Sequence, residues 1–197
     1  MIESPSRQLI LASTSVYRRQ LLDRLRVPFT VMSSDVDEAA LPDEPPAELA
    51  CRLALAKALA VSAQHPDSVV IGSDQVADLN GQALGKPETH ARAVTQLQRM
   101  RGQTVIFQTA VAVVCQATGF AQTELAQVKV QFKHLTDAQI EHYLLTEKPY
   151  DCAGSAKSEG LGIALLARID NDDPTALIGL PLIRTCQLLE AAGVKVL

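Results

Sequence analysis

The chain of 197 residues contains no tryptophan, and only 4% of its residues are aromatic. It also lacks an excess of positive charge, because 18 lysines and arginines stand against 22 aspartates and glutamates, a net charge of -4. Surfaces that bind nucleic acid or anionic membranes need a basic excess, so neither partner is expected and any basic site must be local. With 47% hydrophobic and 20% charged residues, the composition is that of a globular protein.

Sequence patterns of secretion, membrane insertion and zinc binding are absent as well. No segment has the length and hydrophobicity of a transmembrane span, and the first seven residues lack the apolar region of a signal peptide. The four cysteines show neither CxxC spacing nor a Cys/His ligand pattern, so we expect free thiols rather than disulfides or a zinc site: Cys51, Cys115, Cys152 and Cys186. These absences predict a cytoplasmic protein.

Two common catalytic patterns are missing too. No serine lies in a G-x-S-x-G elbow and no histidine is placed as an obvious base, so acyl-enzyme chemistry is not expected. The P-loop pattern is absent. The four histidines show no paired spacing, and we assign them surface or structural roles.

Short strand-like and helix-like segments alternate without internal repeats, which predicts a single α/β domain over residues 1–197. The hydrophobic patterns predict strands at 8–12, 27–32, 69–76, 104–115 and 123–132. Helices are predicted after Ser15 to about residue 26, and at 47–63, 90–100, 136–144 and 181–193.

The turn between the first strand and the first helix is the most informative segment. Arg18 and Arg19 fall in the first turn of the helix that Ser15 is predicted to cap, where the helix dipole disfavours cations. A bound phosphate would explain them, because small residues leave backbone N–H groups free and guanidiniums supply charge. An ordinary cap followed by a solvent-exposed basic face fits the local sequence equally well.

Two more charged residues lie next to predicted core elements. Lys57 is at the border of the apolar face of helix 47–63, where it either reaches a cleft or extends along the surface. Asp74 is placed at the end of the buried strand 69–76, and the carboxyl ends of strands in open α/β sheets carry chemistry. A capping or turn role is the alternative for Asp74.

Two loops add further candidates. Asn80–Gly81 predicts a hairpin turn, after which the chain returns Lys86 toward the same end of the sheet; an exposed loop charge is the alternative. Residues 151–162 contain three glycines, with Lys157 and Glu159 among them, and such a loop can bring a carboxylate and backbone donors close to a ligand.

The ordered set of these motifs resembles the Maf family of nucleotide pyrophosphatases over nearly the whole chain. The matching segments are 11–19 (LASTSVYRR), 35–38 (DVDE), Lys57, 71–76 (IGSDQV), 85–87 (GKP) and 153–160 (AGSAKSEG). The resemblance implies a Maf/Ham1-like α/β fold, with a mixed sheet, flanking helices and two lobes around a central cleft. It further implies hydrolysis of a nucleoside triphosphate to the monophosphate and pyrophosphate with a divalent cation, Mg²⁺ or Mn²⁺, often by a homodimer.

Within the family, the positions of Tyr17, Gln75 and Glu159 separate subgroups. An aromatic residue, Gln and Glu at these positions resemble the YceF-like subgroup, which implies 7-methyl-GTP as substrate. Methylation at N7 gives guanine a positive charge, so Tyr17 would add a cation–π contact and Glu159 would accept from the N–H edge of the base. Val16 and Ala156 depart from the family pattern, which usually has proline and an aromatic residue there.

The same resemblance gives the other site residues their expected roles. Glu38 and Asp74 would bind the divalent cation, and Asp74 would also act as the base that prepares a water for attack on the α-phosphorus. The triphosphate would bind to Ser13, Arg18, Arg19, Lys57 and Lys86. Two alternatives remain open: the same reaction on dTTP, UTP or another modified nucleotide, and a nucleotide-binding regulator of cell division with little turnover.

Overall fold

A computed structural model describes residues 7–197, and the segment 1–6, where no apolar signal region was found, lies outside this described part. Seven strands form one mixed sheet: β1 Leu9–Leu11, β2 Phe29–Val31, β3 Val69–Leu79, β4 Gln82–Leu84, β5 Thr104–Cys115, β6 Phe120–Phe132 and β7 Leu166–Asp170. The α-helices are α1 Val16–Leu22, α2 Pro46–Ser62, α3 His90–Met100, α4 Asp137–Glu147 and α5 Leu182–Ala191. None of the helices described is long and apolar enough to cross a membrane.

The order of the strands leaves a gap in the middle of the sheet. The order is β2-β1-β3-β5-β6-β7, with β4 also paired to β3. β1 pairs in parallel with β3 only as far as Ile71, and β4 pairs with β3 only from Ala77 onward. β5 accompanies β3 on the other side from Val70 to Asp78. Residues 72–76 of β3 therefore have a strand partner on one side only.

Hydrophobic clusters on either side of this gap form the two predicted lobes. In the first lobe, alternate residues of β1 face opposite sides of the sheet: Leu9 and Leu11 pack with α1 and α5, whereas Ile10 packs with α2. The second lobe packs α3 and α4 against the far ends of β5 and β6, with Met100 and Phe132 fully buried there. The predicted fold class, a mixed α/β sheet with flanking helices, is confirmed.

Most predicted elements are confirmed, several boundaries are corrected, and one strand was not predicted. The helix 90–100 and the strand 104–115 have the predicted bounds, and all four cysteines are free. The strand predicted to end at Val76 continues to Leu79, because β5 keeps pairing with it. β6 begins at Phe120 rather than at residue 123, and β7 was not predicted. α1 ends at Leu22, after which a 3₁₀ turn replaces the predicted helix to residue 26.

Candidate active site

A cleft of about 1170 Å³ opens at the gap in the sheet. Its walls come from the β1–α1 turn, the loop before α2, α2 itself, β3, the segment after β4 and the two loops near residues 151–159 and 177–179. The structure brings nine predicted site residues to this cleft: Ser13, Tyr17, Arg18, Glu38, Lys57, Asp74, Gln75, Lys86 and Glu159. Arg19 is exposed and is not among the lining residues.

A buried lysine lies at the centre of the cleft. Lys57 is 6% exposed, and its Nζ lies 2.7 Å from Asp74 Oδ1 and 2.5 Å from Glu38 Oε1. The two alternatives for Lys57 are thereby resolved in favour of the cleft. Burial by itself raises the pKa of Glu38, but the hydrogen bond and the charge of Lys57 outweigh it, so the pKa lies below its ordinary value.

Close packing of α2 on β3 brings Lys57 and Asp74 together. A Cβ on Gly72 would lie 2.1 Å from the carbonyl oxygen of Ala54, so only a glycine lets the helix approach the strand this closely. Asp74 follows Gly72 by two residues and therefore points to the same face of the strand. The glycine thus determines how near the Lys57 ammonium comes to this carboxylate.

The β1–α1 turn carries the candidate phosphate contacts. The Ser15 side chain caps α1 by accepting from the Arg18 backbone N–H at 3.4 Å, as predicted. Arg18 Nε donates to the Gly179 carbonyl at 2.9 Å, and its Nη1 lies 3.4 Å from Ser13 Oγ. Burial lowers the pKa of Arg18, against the opposing effects of the Asp74 and Glu38 charges.

Arg19 does not occupy the electrostatic position expected for it. Because α1 has only seven residues, Arg19 falls in its last turn, where a cation interacts favourably with the helix dipole. The sequence predicts Arg19 in the first turn of a longer helix that continues to about residue 26. A bound anion is therefore not needed to explain a cation at this position.

The segment 176–179 forms a wall of the cleft that sequence reasoning missed. Gln75 Nε2 lies 3.0 Å from the carbonyl oxygens of both Ala176 and Leu177, and 2.9 Å from Thr109 Oγ1. Ser73 Oγ lies 3.0 Å from the Gly179 carbonyl oxygen. The Gln75 amide donors are thus engaged with protein atoms. The one signal of this segment in the sequence is the glycine itself, because residue 179 adopts a φ of 125°, which favours glycine.

The loop that carries Glu38 is attached to α2 by an ion pair that sequence reasoning also missed. Arg52 binds Glu44 through two hydrogen bonds, at 2.6 and 2.8 Å, and donates to the Ala39 carbonyl at 2.9 Å. The Arg52 hydrogen bond is the main reason why the pKa of Glu44 falls to about 2. Lys86 also lines the cleft, and its charge helps to lower the pKa of Glu38.

The end of the cleft that holds Tyr17 is rich in charge. The Lys157 Nζ lies 5.8 Å from the centroid of the Tyr17 ring and 2.7 Å from Glu147 Oε1. Glu159 is exposed and lines the cleft, as does Asp151. The Glu147 hydrogen bond is the largest cause of the raised pKa of Lys157, so this side chain is an ammonium at neutral pH.

Two carboxylates in the cleft converge on one point. Glu38 and Asp74 both contact the Lys57 ammonium, and carboxylate oxygens are the ligands that Mg²⁺ and Mn²⁺ prefer. Over residues 7–197, however, no cluster of three or more histidine, cysteine, aspartate or glutamate side chains is arranged to hold a metal ion. A divalent cation bound by Glu38 and Asp74 would have to complete its coordination with water and substrate oxygens.

Comparison with known proteins finds close relatives over the full length of the chain. A protein of Albidiferax ferrireducens named 7-methyl-GTP pyrophosphatase is 71% identical over 197 residues, which cover 100% of this chain and 99% of the relative. A Polaromonas protein of the same name is 69% identical over 189 residues, covering 96% of this chain and 86% of the relative.

Solved structures are less similar to this chain than the two relatives are, whereas the model of one protein family matches most of the chain. The Ham1 protein of Staphylococcus aureus superposes with a TM-score of 0.48 and 14% identity, over 65% of this chain and 73% of that one. The model described as Maf-like protein matches residues 8–192, which include every residue of the cleft described above. The chain belongs to the Maf family.

Proposed function

We propose that this protein hydrolyses 7-methyl-GTP to 7-methyl-GMP and pyrophosphate. The observation that carries the proposal is the buried Lys57 ammonium between Asp74 and Glu38 in a cleft that Arg18 and Lys86 also line. Cations facing a pair of carboxylates suit a phosphoric anhydride, since phosphoryl transfer needs positioning and charge stabilisation rather than a covalent intermediate. The name shared by the two close relatives supports the choice of base.

In this proposal the triphosphate binds along the cationic side of the cleft. Arg18, Lys57 and Lys86 supply positive charge, and the Ser13 hydroxyl donates to a phosphate oxygen. Arg18 is held for this task by the Gly179 carbonyl, so little side-chain entropy is lost when the phosphate binds. Arg19 is left out of the phosphate site because it does not line the cleft.

Asp74 is the proposed general base. Its Oδ1 accepts from Lys57, whereas its Oδ2 has no hydrogen-bond partner within the part of the chain that the structure describes. Oδ2 is thus available to accept a proton from the attacking water, and the nearby Lys57 stabilises the charge on the phosphate oxygens. Pyrophosphate then leaves toward the cationic side of the cleft.

Glu38 and Asp74 are the proposed ligands of a divalent cation, Mg²⁺ or Mn²⁺. When bound, such a cation would neutralise phosphate charge and lower the pKa of a coordinated water. The two carboxylates fit it, because each is an oxygen donor that contacts Lys57 through only one of its two oxygens. Adding Mg²⁺ or Mn²⁺ to protein without nucleotide should raise the unfolding temperature of the wild type more than that of Glu38→Gln.

Tyr17 and Glu159 are proposed to select the base. Glu159 would accept from the N–H edge of 7-methylguanine, and Tyr17 would present its ring to the positively charged purine. Gln75 acts differently, by fixing the 176–179 wall through its amide. The small nucleotide is the proposed partner, and the cytoplasm, where free thiols persist, is the proposed compartment.

A nucleotide panel tests this proposal. Release of pyrophosphate from 7-methyl-GTP, GTP, dTTP and UTP is measured with Mg²⁺ and with Mn²⁺, and 7-methyl-GTP should give the highest kcat/KM. Glu159→Gln should lower the ratio of kcat/KM for 7-methyl-GTP over GTP by about 10- to 100-fold, the usual worth of a charge-assisted contact. A preference of the wild type for dTTP or UTP would refute the choice of base, and absence of turnover on all four would refute the enzyme.

A further inference from the structure

The ion pair between Lys157 and Glu147 has no part in the mechanism above, although it lies against the residues that select the base. Lys157 is not among the residues lining the cleft, and its ammonium lies over the Tyr17 ring, 5.8 Å from the centroid. Glu147 accepts from Lys157 through Oε1 and from the Leu161 backbone N–H through Oε2, at 2.7 and 2.8 Å. The pair is therefore fixed in place by α4.

The charges around Tyr17 are predominantly negative once this pair is counted as neutral. Asp151 and Glu159 both line the cleft near the ring. Burial is the largest cause of the raised pKa of Tyr17, and the charges of Asp151 and Glu159 add to it while Lys157 opposes it. An unpaired ammonium at position 157 would thus offset the charge that a cationic base is meant to meet.

We propose that Glu147 is a specificity-determining positioning residue, which neutralises Lys157 and so leaves the Glu159 carboxylate uncompensated for a positively charged purine. The inference rests on the proposed function, because the charge matters only if the preferred base is cationic. It assigns a role in base selection to a residue on α4 that does not line the cleft. Selectivity should then follow the net charge of the pair.

The loop has other anchors, which separate this electrostatic role from a structural one. The Tyr143 hydroxyl accepts from the Lys157 backbone N–H at 3.0 Å and donates to the Ser155 carbonyl at 3.1 Å. These bonds remain when the side chain of Lys157 or the charge of Glu147 is altered. The backbone near Glu159 should therefore keep its position in charge variants.

Three variants test the proposal through the ratio of kcat/KM for 7-methyl-GTP over GTP. Glu147→Gln leaves the pair with a net charge of about +1 and should lower the ratio about 2- to 10-fold, the effect expected of a unit charge that is near the base without contacting it. Lys157→Met leaves a net charge of about -1 and should raise the ratio by a similar factor. The double variant is again neutral and should return to the wild-type ratio, and high salt should reduce all the differences.

A merely structural role predicts another pattern. It would lower kcat/KM for both nucleotides together, leave the ratio unchanged in the single variants, or make the double variant the poorest, and each of these results would overturn the inference. Glu190→Gln and Lys129→Met make the same charge changes on exposed residues outside the cleft and should not alter the ratio. If Glu147→Gln fails to fold, Lys157→Met alone still tests the inference, because the ratio of kcat/KM should rise in this variant rather than fall or stay unchanged. A wild type without preference for 7-methyl-GTP defeats the proposed function, whereas a preference that ignores these charges defeats this inference alone.

Discussion

Replacing Lys57 with methionine keeps the length of a buried side chain but removes the ammonium between two carboxylates. In the wild type that ammonium lies 2.7 Å from Asp74 Oδ1 and 2.5 Å from Glu38 Oε1. The side chain of Asp74 is 10% exposed, so its charge would be left without this partner in a largely dry environment. We therefore expect the variant to unfold at lower urea concentration.

The expected loss of stability is about 2–3 kcal/mol near pH 7. Removing one partner of a fully buried ion pair costs about 3–5 kcal/mol, but the side chain of Glu38 is 52% exposed, which weakens its share of the interaction. Because Lys57 holds the pKa of Glu38 below its ordinary value, this contribution is present above the pKa of the unfolded chain. It is lost as the pH falls through the lower pKa of the folded protein.

Urea unfolding at about pH 7, 5 and 3.5 measures this difference. The gap in unfolding free energy between wild type and Lys57→Met should narrow as the pH falls below about 4.5, the ordinary pKa of a glutamate, toward the lower pKa that Lys57 gives Glu38. Lys129→Met, which removes an exposed ammonium from β6, should stay within about 0.5 kcal/mol of the wild type. Equal stability of Lys57→Met near pH 7, or a gap that stays constant into acid, would show that the ammonium does not hold the two carboxylates.

Three further predictions concern the same cleft. Asp74→Asn should lower kcat by about 10²-fold or more in a protein that remains folded by circular dichroism, and near-normal turnover would refute its role as base. Arg18→Gln should raise KM for the triphosphate and lower the unfolding temperature, since it also loses the Gly179 contact, whereas Arg19→Gln should change neither appreciably. Glu44→Gln should destabilise the protein near pH 7. The difference in unfolding free energy from the wild type should decrease as the pH falls from about 4.5 toward the pKa of about 2 that Arg52 gives Glu44. A difference that does not depend on pH would contradict the assignment of this ion pair.

The elements that the sequence predicts well are those with a local signal. The capping box at Thr136 is present, and Asn80–Gly81 forms the expected two-residue hairpin turn, with φ of 54° and 82°. The continuation of β3 beyond Val76 was not predicted, although this turn is a local signal for it, since Leu79 pairs with Gln82 across the hairpin. The pairing of the same residues with β5, where Ile106 lies opposite Asp78, joins positions far apart along the chain and has no local signal. β7 escaped prediction because most of its few residues are exposed.

The same distinction applies to the site, where many of the residues have a signal in the sequence but the contacts between them do not. Nine residues lining the cleft could be identified from the order of their motifs, including Lys57, whose position on the border of an apolar helix face left two roles open, whereas the 176–179 wall could not. The salt bridges that hold the surrounding loops could not, because each joins residues eight or more apart that have no common pattern: Arg52 with Glu44, and Lys157 with Glu147. Arg19 was misplaced because the stop of α1 at Leu22 is not marked by glycine or proline.

The position of Asp74 in the middle of a strand explains how the proposed base can be both fixed and accessible. On one side of β3 the ladder to β5 runs without interruption past Asp74, which lies opposite Ala110, so the backbone of Asp74 is held by sheet hydrogen bonds. On the other side β1 ends at Leu11, opposite Ile71, and pairing with β4 starts only at Ala77, opposite Leu84, so this edge is open to the cleft. A residue at a true strand end would have the opening without the restraint, and a residue within a complete sheet would have the restraint without the opening. The gap between β1 and β4 supplies both, and the close approach of α2 at Gly72 places the Lys57 ammonium beside it.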